Sequence, residues 1–232
     1  MPAKEGIKSE CDALVLMPVR FFMEQNMPPV FYEIKNAVIG IAGLGGLGSN
    51  VAVALARLGA GKLIIADFDI VEEGNLTRQQ YFLDQVGRPK VTATVENLGR
   101  INPDIDIKTH RVRLTPENIP QIFAEADVIA ECFDLPDQKQ MLVETVLTRM
   151  QRPLIVSVSG VAGYGNSNAI KTTRISKRLI LVGDGITVAR PGTRLTASRV
   201  GIAAYHQANA IVELVINELH KVEIGGPNDT NT

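Results

Sequence analysis

A doubly wound α/β fold, with a mainly parallel sheet covered by helices on both faces, is what this sequence predicts, and three observations predict it. Short apolar runs (Ala37 to Ile41, Lys62 to Ala66, Val128 to Glu131, Leu154 to Val158) alternate with helical patterns, the order produced when crossover helices join parallel strands. The first of these runs is β-branched and continuous rather than alternating, as in strands buried on both faces. Between it and the first helix stands a glycine-rich turn, Gly43-Leu44-Gly45-Gly46-Leu47-Gly48.

Composition sets the outer limits. The chain has 232 residues, of which 45% are hydrophobic, enough for a buried core and too many for a disordered chain. Its net charge of −1, with scattered basic residues, leaves no electrostatic footprint for a nucleic acid or an anionic membrane. The two cysteines, Cys11 and Cys132, are too far apart for a disulfide framework or a C-x-x-C zinc site. Lys4, Glu5, Lys8 and Glu10 precede any apolar run, which is not the layout of a signal peptide. The late periodic segment Arg199 to Lys221 carries His206, Gln207, Asn209, Glu213 and Glu218 and is too polar to span a bilayer. A cytoplasmic protein without a membrane partner is expected.

Taken in order, residues 1–36 read as a helical lead-in, apolar on one face from Asp12 to Met23 and broken at Met27-Pro28-Pro29. The first strand and the glycine turn lead into a helix over Ser49 to Leu58, which Gly59 to Gly61 stops. The second strand ends at Asp67, and a polar loop follows over Glu72 to Gln80. Pro89 opens a helix over Lys90 to Arg100, with Val91, Val95 and Leu98 on one face. Ile105, Ile107 and Thr109 alternate with Asp106 and Lys108 as a more exposed strand. Thr115-Pro116-Glu117 reads as an N-cap with proline at the first helical position, giving a short helix over Asn118 to Ala124. A helix over Pro136 to Met150 joins the last two apolar runs. Beyond the glycine- and serine-rich Gly160 to Asn168, Ala169 to Ile175 and Arg178 to Val182 alternate like an antiparallel pair. A mobile loop over Gly183 to Thr196, the helix to Lys221 that closes the domain and a frayed tail complete the chain. The expectation is a Rossmann-like domain over 37–222, extended by a C-terminal antiparallel hairpin and a closing helix, with a flexible tail over 223–232.

The candidate chemistry starts at the glycine turn. Glycines let the backbone approach an anion closely, and the helix N-terminus behind them presents unpaired N–H groups and a positive dipole end. Asp67, roughly 20 positions further on at the end of the second strand, suits a ribose diol, because a carboxylate can accept from both hydroxyls. These features fit NAD and ATP equally, so a nicotinamide-dependent oxidoreductase stays open at this point. Asp69, Glu72, Asn75, Arg78, Gln79 and Lys90 follow, a cluster that a nicotinamide enzyme does not need. Phosphoryl and nucleotidyl transfer do need such groups, because negative charge concentrates on phosphate oxygens that an Arg fork or a Lys ammonium can hold.

The motifs Gly43-Leu-Gly-Gly-Leu-Gly-Ser-Asn50, Asp67-Phe-Asp69, Glu73-Gly-Asn75-Leu-Thr-Arg78-Gln79-Gln80 and Gly87-Arg-Pro-Lys90 together resemble the ThiF/MoeB adenylyltransferases, relatives of the ubiquitin-activating enzymes. The resemblance runs from about Val38 through the closing helix, and Gly160 to Asn168 is similar to the short ThiF subfamily. It implies ATP-dependent adenylation of the C-terminal Gly-Gly carboxylate of a small β-grasp sulfur-carrier protein of the ThiS type, in thiamine thiazole synthesis. It implies that Gly43, Gly45, Gly46, Leu47, Gly48 and Asp67 hold the nucleotide, with Asp67 on the ribose and Asp69 lining the pocket. Asn75, Arg78 and Lys90 would contact the triphosphate, Gln79 would support them, and Asp134 would hold Mg²⁺. A homodimer is implied as well. Adenylation of another sulfur carrier, in a molybdopterin or amino-acid pathway, or of tRNA, would use the same site.

The chain also departs from the family. The paired C-x-x-C motif of many members is missing, so no zinc is expected, and no cysteine follows Cys132 to carry sulfur or a thioester. Cys132 itself is expected to be a small buried residue. Where the family has asparagine and arginine after the metal-binding aspartate, this chain has Leu135 and Lys139. The N-terminal arginine that reaches a partner's site in dimeric members has Arg20 as its nearest candidate. His110, His206 and His220 have no carboxylate or cysteine at ligand spacing and are expected in surface or helix-end roles. The basic group Lys171, Arg174, Lys177 and Arg178 is either a solvated face or a dock for an acidic carrier surface.

Overall fold

The computed structural model describes residues 30–188 and 195–219. The expected helix over Asp12 to Met23, with Cys11 and Arg20, lies outside the described residues, as do 189–194 of the expected loop, His220 and the tail. In chain order the principal elements are α1 (Val30–Asn36), β1 (Val38–Ala42), α2 (Gly46–Arg57), β2 (Lys62–Ala66), α3 (Lys90–Gly99), β3 (Asp106–His110) and α4 (Ile119–Ile122). They continue as β4 (Val128–Glu131), α5 (Pro136–Arg149), β5 (Leu154–Val158), β6 (Lys171–Arg174), β7 (Leu179–Gly183) and α6 (Ala197–Leu214), which runs on as a π-helical turn over Val215–Leu219.

The strands form one seven-stranded sheet in the order β3-β2-β1-β4-β5-β7-β6. Every pair is parallel except β6 with β7, so the expected hairpin extends a parallel sheet whose β7 already runs alongside β5. Because side chains alternate across a strand, each central strand feeds two cores. Ile39, Ile41, Leu63, Ile65, Val128 and Val156 face the core that contains α2 and α6, while Ile64, Ile129 and Ile155 face the one that contains α4 and α5. Gly40 lies on the second face, where a Cβ would stand 2.7 Å from the Phe123 ring. The chain winds outward in both directions from the β1–β4 junction, and in such sheets ligands bind beyond the carboxyl ends of the strands at that point.

Several boundaries shift from the sequence expectation by a residue or more, among them the starts of α2 and α4. The helix α2 begins at Gly46, inside the glycine motif, rather than at Ser49. Gly48 is a helical residue whose missing side chain is required by contact, since a Cβ there would stand 1.8 Å from the Gly43 carbonyl oxygen. The helix α4 is confined to Ile119–Ile122, and its N-cap is Asn118 rather than the expected Thr115: the Asn118 carbonyl accepts from Ile122 N at 2.9 Å, while its side chain turns back, Oδ1 accepting from Thr115 N at 2.8 Å and Nδ2 donating to Arg113 O at 3.0 Å. The chain after Pro29 is helical, as α1, within the expected helical lead-in over 1–36.

Candidate active site

The glycine turn is held from below by Asp67. Its Oδ2 accepts from Leu44 N at 2.6 Å and its Oδ1 from Asp69 N at 2.7 Å, so the carboxylate joins the end of β2 to the end of β1. Burial pushes the Asp67 carboxyl above its ordinary pKa, against the pull of Lys90 and of these two N–H groups. Gly43 takes a positive φ of 93°, which glycine adopts without strain. A Cβ at Gly43 would meet the Cys132 carbonyl oxygen at 3.1 Å and the Phe133 ring at 3.2 Å, so the turn closes directly on the residues that lead to Asp134.

The polar loop of the sequence is brought onto the same turn. Asn50, on α2, donates through Nδ2 to Gly46 O at 2.7 Å and to Arg78 O at 3.1 Å, while Gln80 Nε2 donates to Asn50 Oδ1 at 2.7 Å. Ser49 Oγ donates to Gly45 O at 2.7 Å and accepts from Gln80 N at 3.1 Å. These bonds lay the Arg78 stem beside Gly46, where a Cβ would stand 3.7 Å from Arg78 Cγ. The guanidinium rests on its own loop, with Nη1 donating to Gly74 O at 3.0 Å. Asn75, one turn earlier, uses its side-chain oxygen to accept from Glu72 N at 3.1 Å.

Gln79 is 8% exposed and its Oε1 has no hydrogen-bond partner, although Nε2 lies only 3.9 Å from where a Cβ at Gly45 would stand. A buried, unsatisfied amide beside an open glycine cradle is a place that a polar ligand completes. Lys90 has a buried stem, and its ammonium reaches Asp69 Oδ2 at 3.0 Å, with the Asp69 side chain half exposed at the rim. Asp134 is exposed just past the end of β4. Among the described residues no group of three His, Cys, Asp or Glu side chains could hold a metal on protein ligands alone. One carboxylate is nonetheless a normal protein share for Mg²⁺, which takes its other ligands from phosphate and water.

Other candidates have structural partners. Cys132 is buried, its thiol pushed far up in pKa by that burial and by Glu131, and it donates to Gln207 Oε1 at 3.6 Å. Lys139 closes on Glu131, which is fully buried, with both carboxylate oxygens at 3.1 Å from Nζ. Glu131 Oε1 also accepts from Phe133 N at 2.7 Å and Oε2 from Ser157 Oγ at 2.7 Å, which shapes the backbone that carries Asp134. Arg178 is spent on the end of α5, donating to Val146 O at 3.1 Å and Pro153 O at 2.8 Å, and Arg174 pairs with Glu218. The basic hairpin is therefore half structural. His206 meets Thr172 Oγ1 at 3.1 Å; His110 is the exception, its buried Nε2 having no hydrogen-bond partner, and burial lowers its pKa. Sequence reading gave no individual role to Ser49, Asn50 and Gln80, which it quoted only within motifs, or to Glu131. Ser49 and Asn50 carried a signal, two hydrogen-bonding residues set directly behind the glycines.

A family model described as the ThiF family matches residues 19–223. The chain belongs to the ThiF family. Among ThiF relatives, a sulfur carrier protein ThiS adenylyltransferase of Escherichia coli (strain K12) is 35% identical over 141 residues, covering 60% of this chain and 55% of that protein. An adenylyltransferase and sulfurtransferase of Aspergillus terreus is 36% identical over 124 residues, covering 53% of this chain but only 25% of the fungal protein. The chain thus spans about a quarter to a half of the length of these relatives. Among solved structures, E. coli tRNA N6-threonylcarbamoyladenosine dehydratase in complex with ATP superposes with a TM-score of 0.77 at 20% identity, over 87% of this chain and 95% of that one. That likeness shows the ThiF-family fold.

Proposed function

We propose that this chain adenylates the C-terminal Gly-Gly carboxylate of a small ubiquitin-like sulfur carrier of the ThiS type, in thiamine thiazole synthesis. The observation that carries the reading is the convergence of Arg78, Gln79, Lys90 and the Asp67–Asp69 pair on one glycine turn, with a buried amide oxygen on Gln79 still unsatisfied. The ThiS adenylyltransferase among the relatives supports the choice of carrier.

In the proposed reaction a carboxylate oxygen of the carrier attacks the α-phosphate of ATP. A new O–P bond forms, the bond to the β-phosphate breaks, and pyrophosphate leaves with that electron pair. The carboxylate is already ionised at neutral pH, so no general base is needed. The barrier is the approach of one anion to another, which preorganised positive charge offsets. The N-terminus of α2 receives phosphate oxygens, and Arg78 and Lys90 neutralise charge on the triphosphate. Asp67 and Asp69 hold the ribose; two lone-pair positions of Asp67 serve the turn and the rest remain for hydroxyls. Asp134 would hold Mg²⁺, which supplies charge at the phosphates. Lys90 is released from Asp69 as it takes up phosphate.

A second reading is adenylation of a tRNA, favoured by the 95% coverage of the tRNA-modifying E. coli structure. The test for both is ATP–pyrophosphate exchange with a panel of Gly-Gly-ended β-grasp proteins and with bulk tRNA as separate additions. Exchange that depends on a ThiS-type carrier, and that falls on the order of 100-fold in Arg78→Ala, is expected from deleting one preorganised donor. Exchange stimulated by tRNA alone would replace the first reading with the second. Wild-type exchange in Arg78→Ala would remove that residue from the reaction.

A further inference from the structure

The geometry points to Tyr81 as the positioning residue that sets the glycine turn, the Arg78 loop and the Lys90 helix at their working separation. The inference rests on the adenylation reading above and assigns Tyr81 no contact with ATP.

Tyr81 lies in the loop between β2 and α3 but is 6% exposed. Its ring packs with Val71 and Ala93, and with the partly buried Leu76, in a small apolar cluster separate from both faces of the sheet. Its hydroxyl donates to Leu44 O at 2.9 Å and lies 3.1 Å from Thr94 Oγ1, which is left to donate in return. Leu44 N is already bonded to Asp67, so Leu44 is gripped at both its N–H and its carbonyl, and the turn cannot tilt without breaking one bond. Thr94 stands one helical turn beyond Lys90 on α3, on the same face. Arg78 and Gln79 are the third and second residues before Tyr81 in the chain. One phenol therefore joins three segments, each of which carries a group that the adenylation reading assigns to phosphate.

Tyrosine suits the task for two reasons. Its ring is rigid, with few torsions to order, and its buried hydroxyl is satisfied by partners on two different segments. Burial also raises the phenol pKa, so it remains a donor throughout the neutral range. Phenylalanine would keep the ring packing and remove only the tie, leaving the Leu44 carbonyl without its phenol donor.

The test compares wild type, Tyr81→Phe, Thr94→Val and Thr94→Ser. Calorimetry measures binding of a non-hydrolysable ATP analogue with Mg²⁺, thermal unfolding measures stability, and carrier-dependent ATP–pyrophosphate exchange gives kcat and KM. Tyr81→Phe is expected to lower kcat on the order of tenfold at a temperature well below its Tm, the effect of a sub-ångström misplacement of reacting groups. Thr94→Val should show a smaller loss in the same direction, and Thr94→Ser, which keeps the hydroxyl, should restore the wild-type rate. A fall in Tm with kcat, KM and analogue affinity unchanged would make Tyr81 merely structural and overturn the proposal while leaving the adenylation reading intact. A wild-type protein that binds no ATP analogue would overturn the adenylation reading and this proposal together.

Discussion

Gly48→Ala tests how the site is built. On helix propensity alone it should stabilise, since alanine is favoured over glycine within a helix by about 0.5–1 kcal/mol. The structure predicts the opposite sign. The new Cβ would stand 1.8 Å from Gly43 O and 2.9 Å from Gly43 C, both backbone atoms that no rotamer change can move. Restoring an ordinary contact needs a displacement of more than about 1 Å between the start of α2 and the glycine turn, and a misplacement of that size costs on the order of 100-fold in rate. The overpacking itself costs about 1–3 kcal/mol, or roughly 2–12 °C in Tm for a chain of this length. Gly45→Ala is the control, because its Cβ would meet only Gln79 Nε2, at 3.9 Å. Its Tm should stay at the wild-type value while nucleotide binding weakens, since the methyl stands in the cradle. Thermal unfolding and ATP–pyrophosphate exchange read both. An unchanged or raised Tm with wild-type exchange in Gly48→Ala would refute the contact argument.

Other perturbations follow from the same geometry. Lys90→Met keeps the buried stem and removes the ammonium that faces Asp69; exchange should fall about 100-fold, and wild-type exchange would exclude Lys90 from the phosphates. Asp184 and Arg199 form a buried pair at 2.5 Å, and the N–H groups of Thr187 and Ile186 also bond Asp184. Burial pushes the Asp184 carboxyl up, but the Thr187 and Ile186 N–H groups, the Thr187 hydroxyl and Arg199 outweigh it, so its pKa lies below the ordinary 3.8. The ionised carboxylate then contributes stability that is complete above the unfolded pKa and is lost as pH falls from about 3.8 through the folded value. Asp184→Asn should lower stability by about 3–5 kcal/mol near neutral pH by leaving Arg199 unpaired. It should also flatten the acid limb of a Tm–pH profile, and an acid limb parallel to wild type would refute the assignment. Cys132→Ala should leave exchange within a few-fold of wild type, and a thiol reagent should reach Cys132 only on unfolding; a large loss of exchange would show that the buried thiol takes part.

The strand and helix order was legible because continuous apolar runs and helical periods are local signals that burial on both sheet faces demands. The antiparallel hairpin was legible from alternation instead, which suits an edge of the sheet: β7 buries every second residue and β6 is exposed throughout. The start of α2 was not: glycine reads locally as a turn, and only the approach of the Gly43 carbonyl makes Gly48 a helical contact residue. The start of α4 was misread because the helix is capped by Asn118, whose side chain bonds back to Thr115 and Arg113, and not by Thr115. At the site, Arg78 and Gln79 in a loop and Lys90 at the start of a helix stood out as charged or amide groups with no local need of them. Lys139 was read only as standing where the family has arginine and Arg178 as a solvated or docking group, yet their partners, buried Glu131 and the end of α5, come from other segments and left no local trace.

Sequence by itself determined the alternation of strands and helices, the glycine cradle and the set of residues able to meet a polyphosphate, because each depends on residue type and short spacing. Tertiary structure decided which of those groups are free to act. It placed Asp67 beneath the turn, laid Arg78 beside Gly46, left the Gln79 amide oxygen unsatisfied and closed Lys139 onto Glu131. The physical reason is that a buried polar group must find a partner, and the partner's position is set by how distant segments pack.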